Sequence, residues 1–467
     1  MPQPHAPLLR TRRAAIALAV CALAACGGGQ DAATNSATNS ATAAATPQAA
    51  TPANQPGSLA AATTAPVGTL SLVSLLASGG GAPCAISASG DLVAYVDNSS
   101  GRNQVRLRNL ATGSLVLAST QANGSPILAA AVCRGMSPDG RYLVLDVAAS
   151  SGSPDSTAPL TDAALYVKDL QTGALQRATP QLNTLPTTRA FQFVGLSHDG
   201  QRLAFLGLPT TTYLGGYQTV ANGPTRLLLQ DLAANRLVDL TSTARLATTT
   251  GPAEPGTAAL SPDGQRLAFV SAAPFPEVGD TDDRNDVLVL NLQTGSLSLG
   301  SPDTPATAGF SWSRLQGFAQ GGSRLIYQGG PPQQFLGTGL YANTLATGTV
   351  ALLAGRSSTD NSYFGGANDE TLAFDDALRQ VVFLRSDSRN RFNQPWLRQL
   401  ATGSEQRLDS TATGVLGNSF STAPLISADG TQTSFGSFAT NLVRLGRTAP
   451  TFQTYRKTVG VAAVVTQ

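Results

Sequence analysis

The chain has 467 residues, with 30 Lys and Arg against 28 Asp and Glu, two His, and only 12% charged side chains. Removing a leader that holds three of those 30 leaves 27 basic against 28 acidic groups, so the basic excess that phosphate neutralisation on a nucleic acid demands is missing. Forty-seven Gly and 28 Pro among 42% apolar residues argue against a helical bundle and for a turn-rich fold, either about three domains or one large all-β body. One of the two histidines, His5, lies in the leader, which leaves His198 alone to support imidazole chemistry.

Residues 1–25 read as an export signal, with Arg10, Arg12 and Arg13 ahead of the apolar run Ala14–Ala25. That run is well short of the ~20 residues a permanent bilayer-spanning helix needs. It ends Leu23-Ala24-Ala25-Cys26 and continues Gly27-Gly28-Gly29, which resembles the lipobox of bacterial lipoproteins. The resemblance implies lipidation at Cys26, attachment to the membrane through that anchor only, and, with Gly27 rather than Asp in second place, the periplasmic side of the outer membrane. Residues 26–66, the lipidated cysteine and an Ala/Thr-rich linker, are a low-complexity tether that repeats Ala-Thr-Asn-Ser and carries one charge, Asp31. Such a segment cannot bury enough apolar surface to offset the entropy lost on ordering it.

Residues 67–467 repeat. Leu260-Ser261-Pro262-Asp263-Gly264, followed by Leu267-Ala268-Phe269, is the clearest copy of a turn with an apolar triplet behind it. Copies start at Ile86, Met136, Leu196, Leu260, Phe318, Phe374 and Ile426, at separations of 50, 60, 64, 58, 56 and 52 residues. Most are followed by a second hairpin whose turn is Thr112-Gly113, Thr172-Gly173, Ala234-Asn235, Thr294-Gly295, Thr347-Gly348 or Thr402-Gly403. Gly and Asn accept the positive φ that tight hairpin turns require, so each copy reads as a four-stranded antiparallel meander. Seven such units, 50–64 residues apart, predict an all-β, seven-bladed β-propeller. The last copy has no fourth-strand hairpin, whereas Gly68-Thr69-Leu70-Ser71-Leu72 mirrors the fourth strand Gly348–Leu352. An N-terminal strand is therefore expected to complete blade seven by pairing near Thr451–Thr458, the alternative being Val459–Val465 in that place.

The Ser-Pro-Asp-Gly turn followed by its aliphatic–aromatic triplet resembles the repeat of TolB-like propellers, relatives of the WD-repeat family. The resemblance spans nearly all of 68–467 and implies binding to proteins of the cell envelope, as a monomer, rather than catalysis. The alternative is a hydrolase or lyase with a metal-assisted site at the central channel. The Asp-Gly and Thr-Gly turns fall on one face of such a ring. The connections between second and third strands fall on the other, and these vary widely in length, as recognition loops do. Tyr213, Tyr217, Phe275 and Trp312, together with Phe335 and Tyr363, are candidate partner-contact residues near that face.

Two local features remain. Asp280-Thr281-Asp282-Asp283-Arg284-Asn285-Asp286 is the densest acidic run; it reads first as a solvated loop in which Asp286 opens a strand. Its second reading is a structural Ca²⁺ held by Asp280, Asp282 and Asp286, although Arg284 stands where an EF-hand loop would need another oxygen. No other cofactor is expected. Cys84 and Cys133 precede the turns of adjacent blades, and an oxidising compartment would let them bond. Their offsets differ by one residue, which turns the two thiols to opposite faces unless Gly135 marks a bulge.

Overall fold

A computed structural model describes residues 67–74, 81–148, 163–181, 184–185, 188–209, 211–214, 217–221, 225–245, 258–303, 307, 312–330, 339–355, 372–386, 393–422, 424–443 and 452–460. The leader, Cys26, the linker to 66, Phe335, Tyr363 and 461–465 lie outside the described residues. The described chain is all-β, with seven four-stranded antiparallel sheets arranged as a β-propeller. Blade one is Pro83–Ile86, Leu92–Asp97, Gln104–Asn109 and Leu115–Leu117; blade four is Ala258–Leu260, Arg266–Ser271, Asp286–Asn291 and Leu297–Leu299. The repeat starts read from the sequence each end the first strand of a blade, except that Phe318 sits one residue before the end of Trp312–Ala319. Among the described residues no helix is long and apolar enough to cross a membrane.

The triplet after each turn is buried because the second strand is sandwiched between two neighbouring blades. Its period of two assigns a partner to each residue. The outer pair, such as Leu143 and Leu145 or Leu325 and Tyr327, packs on the preceding blade, while the middle residue, Val144 or Ile326, packs on the following one. An unbroken apolar triplet is thus what a strand covered on both faces requires.

Each turn is locked by its own side chains. Ser261 Oγ donates to Asp263 Oδ1 at 2.5 Å and accepts from the Arg266 N–H at 2.9 Å, and Ser137, Ser197 and Ser427 repeat the arrangement. The turns are also joined around the ring. The N–H of Ala88 donates to Pro138 O at 2.8 Å, His198 to Pro262 O at 2.8 Å, Gln320 to Asp376 O at 3.0 Å, Asp376 to Ala428 O at 2.9 Å and Asp429 to Ala88 O at 3.0 Å. The two junctions that lack such a bond are those where the donor position holds Pro138 or Pro262, which have no N–H. His198 therefore serves the belt through its backbone.

Blade seven is completed from the N-terminus. Leu425–Ile426, Gln432–Ser437 and Gln453–Thr458 are followed in the sheet by Leu70–Leu72, in the register Leu70↔Lys457 and Leu72↔Tyr455. The Gly68 N–H donates to Thr458 O at 2.8 Å, the Thr458 N–H to Thr69 O at 3.0 Å and the Val73 N–H to Thr454 O at 2.9 Å. The expected closure by the N-terminal strand is the one observed.

Candidate functional site

The acidic run lies between the second and third strands of blade four, on the face of the variable connections. Ser271 closes the second strand opposite Asp286, which opens the third. Between them the chain passes through a 3₁₀ turn, Pro276–Val278, and reverses at Gly279, whose φ of +89° suits glycine. Phe275 is fully buried and pairs in a short bridge with Asp280. The Arg245 guanidinium, reaching over from blade three, stacks on the Phe275 ring at 3.9 Å and bonds Glu277 at 2.6 Å. Phe275 is therefore the buried anchor of this loop and is removed from the set of partner-contact aromatics. The sequence places it in a polar loop but does not show the arginine that covers it.

This scaffold brings Asp280, Asp282 and Asp286 together, with one carboxylate oxygen from each within 4.8 Å of the others. They line a cavity of about 50 Å³, with Ser301, Asp303, Thr307 and Ser313 contributed by the connection to blade five and that blade's first strand. Asp280 is only 4% exposed. Its Oδ1 accepts the Asp282 N–H at 3.3 Å, while its Oδ2 is buried without a partner. Burial raises its pKa. Asp286 accepts from Ser301 Oγ at 2.8 Å, and that hydroxyl also receives the Val287 N–H at 2.9 Å. Burial first, then the charges of Asp280, Asp282 and Asp303, push Asp286 up to about 6. Asp282 is half-exposed and stands 3.6 Å from the Arg284 guanidinium.

The same hydroxyl position recurs around the ring. Ser119, Thr179 and Thr241 follow the fourth strands of blades one to three and accept the N–H of Val105, Leu165 and Leu227 at 3.1 Å, as Ser301 accepts that of Val287. In blade four that hydroxyl donates to a carboxylate of the third strand, Asp286, whereas in blade one it donates to Gln104 and in blade three to Asp239 of the fourth strand. The cluster belongs to the third strand and the loop ahead of it. It is thus set apart from the first strands, which line the channel of a propeller.

The remaining candidates fall in three places. Tyr213 and Tyr217 lie on a hairpin, Thr211–Leu214 and Tyr217–Ala221, that forms a separate two-stranded sheet between the second and third strands of blade three. Trp312 opens the first strand of blade five. Cys84 and Cys133 are joined in a disulfide with a Cα–Cα separation of 5.6 Å. Both strands shift register at the cysteines, between Pro83 and Ala85 and between Cys133 and Gly135, and the shifts bring the thiols to a common side.

No family model and no curated protein matches the chain. Among solved structures it is similar to an oligogalacturonate lyase in complex with manganese, at 14% identity over 80% of this chain and 88% of that one, with a TM-score of 0.51. It is also similar to the oligogalacturonate lyase of Vibrio parahaemolyticus, at 13% identity over 84% and 93%, with a TM-score of 0.55. TolB of Acinetobacter baumannii is among its structural neighbours at 12% identity over 79% and 80%, with a TM-score of 0.37. At these identities the likeness is one of fold. The chain is a seven-bladed β-propeller, and a propeller serves many functions.

Proposed function

We propose that this chain is a lipid-anchored envelope protein whose propeller is a protein-binding module, with its contact surface on the face of the variable connections. The observation that carries the reading is the hairpin Thr211–Ala221, a β-sheet built outside the seven blades on that face. Its two strands form a sheet separate from the seven blades, and an element added to a variable connection in this way suits recognition. The attachment point of the tether agrees. Val67 lies beside Gly460 and Gly68 bonds Thr458, while the Val459 N–H bonds Thr431 O of the neighbouring Asp-Gly turn. The first described residues, Val67 and Gly68, therefore stand on the face opposite the hairpin.

The second reading, a lyase or hydrolase, draws on the fold shared with the oligogalacturonate lyases. It needs acid, base or metal ligands at the channel, and the carboxylates gathered here are carried by the third strand and a loop. A photocrosslinking residue placed at 213 and 217 in cells, and at 172 and 294 on the opposite face, separates the two. A discrete adduct with one envelope protein from 213 and 217 only is the expected outcome. Equal labelling from both faces, or unsaturated products released from oligogalacturonate by the purified chain, would overturn the proposal.

A further inference from the structure

Four aspartates among the described residues are buried: Asp97, Asp280, Asp375 and Asp409. A buried carboxylate is costly unless a cation neutralises it, and the fold supplies one in three of the four cases. Arg106 lies 2.6 Å from Asp97, Arg379 lies 2.8 Å from Asp375 and Arg407 lies 2.8 Å from Asp409. Among the described residues Asp280 has no close ion pair of that kind: the Arg245 charge only partly offsets its burial, and its Oδ2 is buried without a hydrogen-bond partner. The geometry points to a calcium ion as the missing cation, held by Asp280, Asp282 and Asp286 and tying the blade-four loop to the start of that blade's third strand.

The choice of ion follows from the donors. They are all oxygens, with no imidazole or thiolate, which selects a hard cation over zinc or copper. Their 4.8 Å mutual spread matches the width of a Ca²⁺ coordination sphere, roughly 4.6–5.2 Å. Mg²⁺ holds its oxygens at about 2.0–2.1 Å in a strict octahedron and keeps much of its water, so it suits this set less well. The three carboxylates offer up to six oxygens, and the cavity of about 50 Å³ leaves room for water to complete the shell. The site is also organised by contacts that do not involve the ion. Phe275 and Arg245 fix one end of the loop, and the Ser313 N–H of blade five holds Asn285 O at 2.8 Å at the other.

The test uses the mature chain, calorimetric titration with Ca²⁺ or Mg²⁺, and thermal melts with chelator or with about 5 mM of either ion, a concentration above the millimolar Kd of the weaker extracellular sites. One Ca²⁺ per chain, a Tm raised by a few degrees, and little response to Mg²⁺ are expected. Asp280→Asn and Asp286→Asn should each weaken Ca²⁺ binding at least tenfold, while Asp283→Asn, at an exposed neighbour outside the cluster, should not. In chelator Asp280→Asn should melt no lower than the parent chain, because it removes an uncompensated buried charge; this separates loss of the ion from loss of the fold. Absence of Ca²⁺ binding by the parent chain, an equal response to Mg²⁺, or unchanged binding in both cluster variants would overturn the assignment. None of these measurements depends on the binding-module proposal, so either can fail alone.

Discussion

Opening the Cys84–Cys133 bond tests how the first two blades are held. The two cysteines are 49 residues apart, and the loop they close contains the rest of blade one. In the chain-entropy model a loop of that size restricts the unfolded chain by about 4 kcal/mol. With an unfolding entropy of about 2.1 cal/mol/K per residue over roughly 400 residues, that loss lowers Tm by about 5 °C. The assay is a calorimetric melt of a soluble form lacking 1–26, oxidised and after reduction, with thiols counted on the unfolded oxidised chain. Reduction keeps both sulfur atoms, so it isolates the covalent bond. Cys84→Ala with Cys133→Ala should melt slightly lower still, since Cys133 is buried and its sulfur fills space. Two reactive thiols in the oxidised chain, or reduced and oxidised forms that melt within about a degree of each other where about 5 °C is expected, would refute the reasoning.

Gly200 sits at φ +68° in the turn of blade three, and a Cβ there would lie 2.5 Å from the Tyr142 ring of blade two. Gly200→Ala should therefore cost about 2–4 kcal/mol in urea melts. Gly113→Ala, at φ +76° with no atom nearer than 4.0 Å, should cost only about 1 kcal/mol; equal losses would show that the inter-blade contact is unimportant. Lys457 is buried, and its ammonium donates to Arg407 O at 3.2 Å and Ser410 O at 3.0 Å. Burial lowers it from 10.5 to about 8, and the Asp409 carboxylate opposes that shift. Between those values the unfolded chain holds a proton that the folded chain has released, so stability rises with pH across the window. The full rise is about 3 kcal/mol, of which a melt at about pH 9.5 compared with one at about pH 7.5 should capture much, and Lys457→Met should remove it. An unchanged pH slope in that variant would refute the assignment, and buried Lys168 supplies the part of the slope that remains.

The blades and their closure were legible because they are written in turn chemistry and a two-residue period, both local properties. The acidic cluster was legible as composition, since Asp280, Asp282 and Asp286 stand close in the chain. Its burial was not legible, because that comes from Arg245 and the connection to blade five. The hairpin of blade three has a local signal of its own: Thr211-Thr212-Tyr213-Leu214 and Tyr217-Gln218-Thr219-Val220 are strand-forming runs on either side of Gly215-Gly216. The belt of hydrogen bonds through the Asp-Gly turns had no sequence signal beyond the two prolines that interrupt it. Its partners are some 50 to 340 residues apart and meet only when the ring is closed.

The closing seam departs from the pattern of the other six. Between consecutive blades from one to seven, the middle residue of each second-strand triplet is apolar: Ala94, Val144, Ala204, Ala268, Ile326 and Val382. In blade seven that position is Ser434, within Thr433-Ser434-Phe435, and among the described residues the fully buried apolar cluster facing blade one consists of Val73, Val93 and Tyr95. Hydrogen bonds take over there. Thr454 Oγ1 donates across the seam to Gly81 O, and within blade seven Ser74 Oγ donates to Gln453 Oε1 at 2.5 Å and accepts from the Thr454 N–H at 3.0 Å. Apolar contact between blades is non-directional, whereas a hydrogen bond is bound to a distance and an angle. A seam whose partners, Thr454 and Gly81, are 373 residues apart gains more from partners that accept one alignment than from partners that accept several. Thr454→Val, which removes the bond to Gly81 O, should therefore cost only about 1 kcal/mol in stability and slow closure in refolding. Closure as fast as in the parent chain would show that the polar seam sets no register.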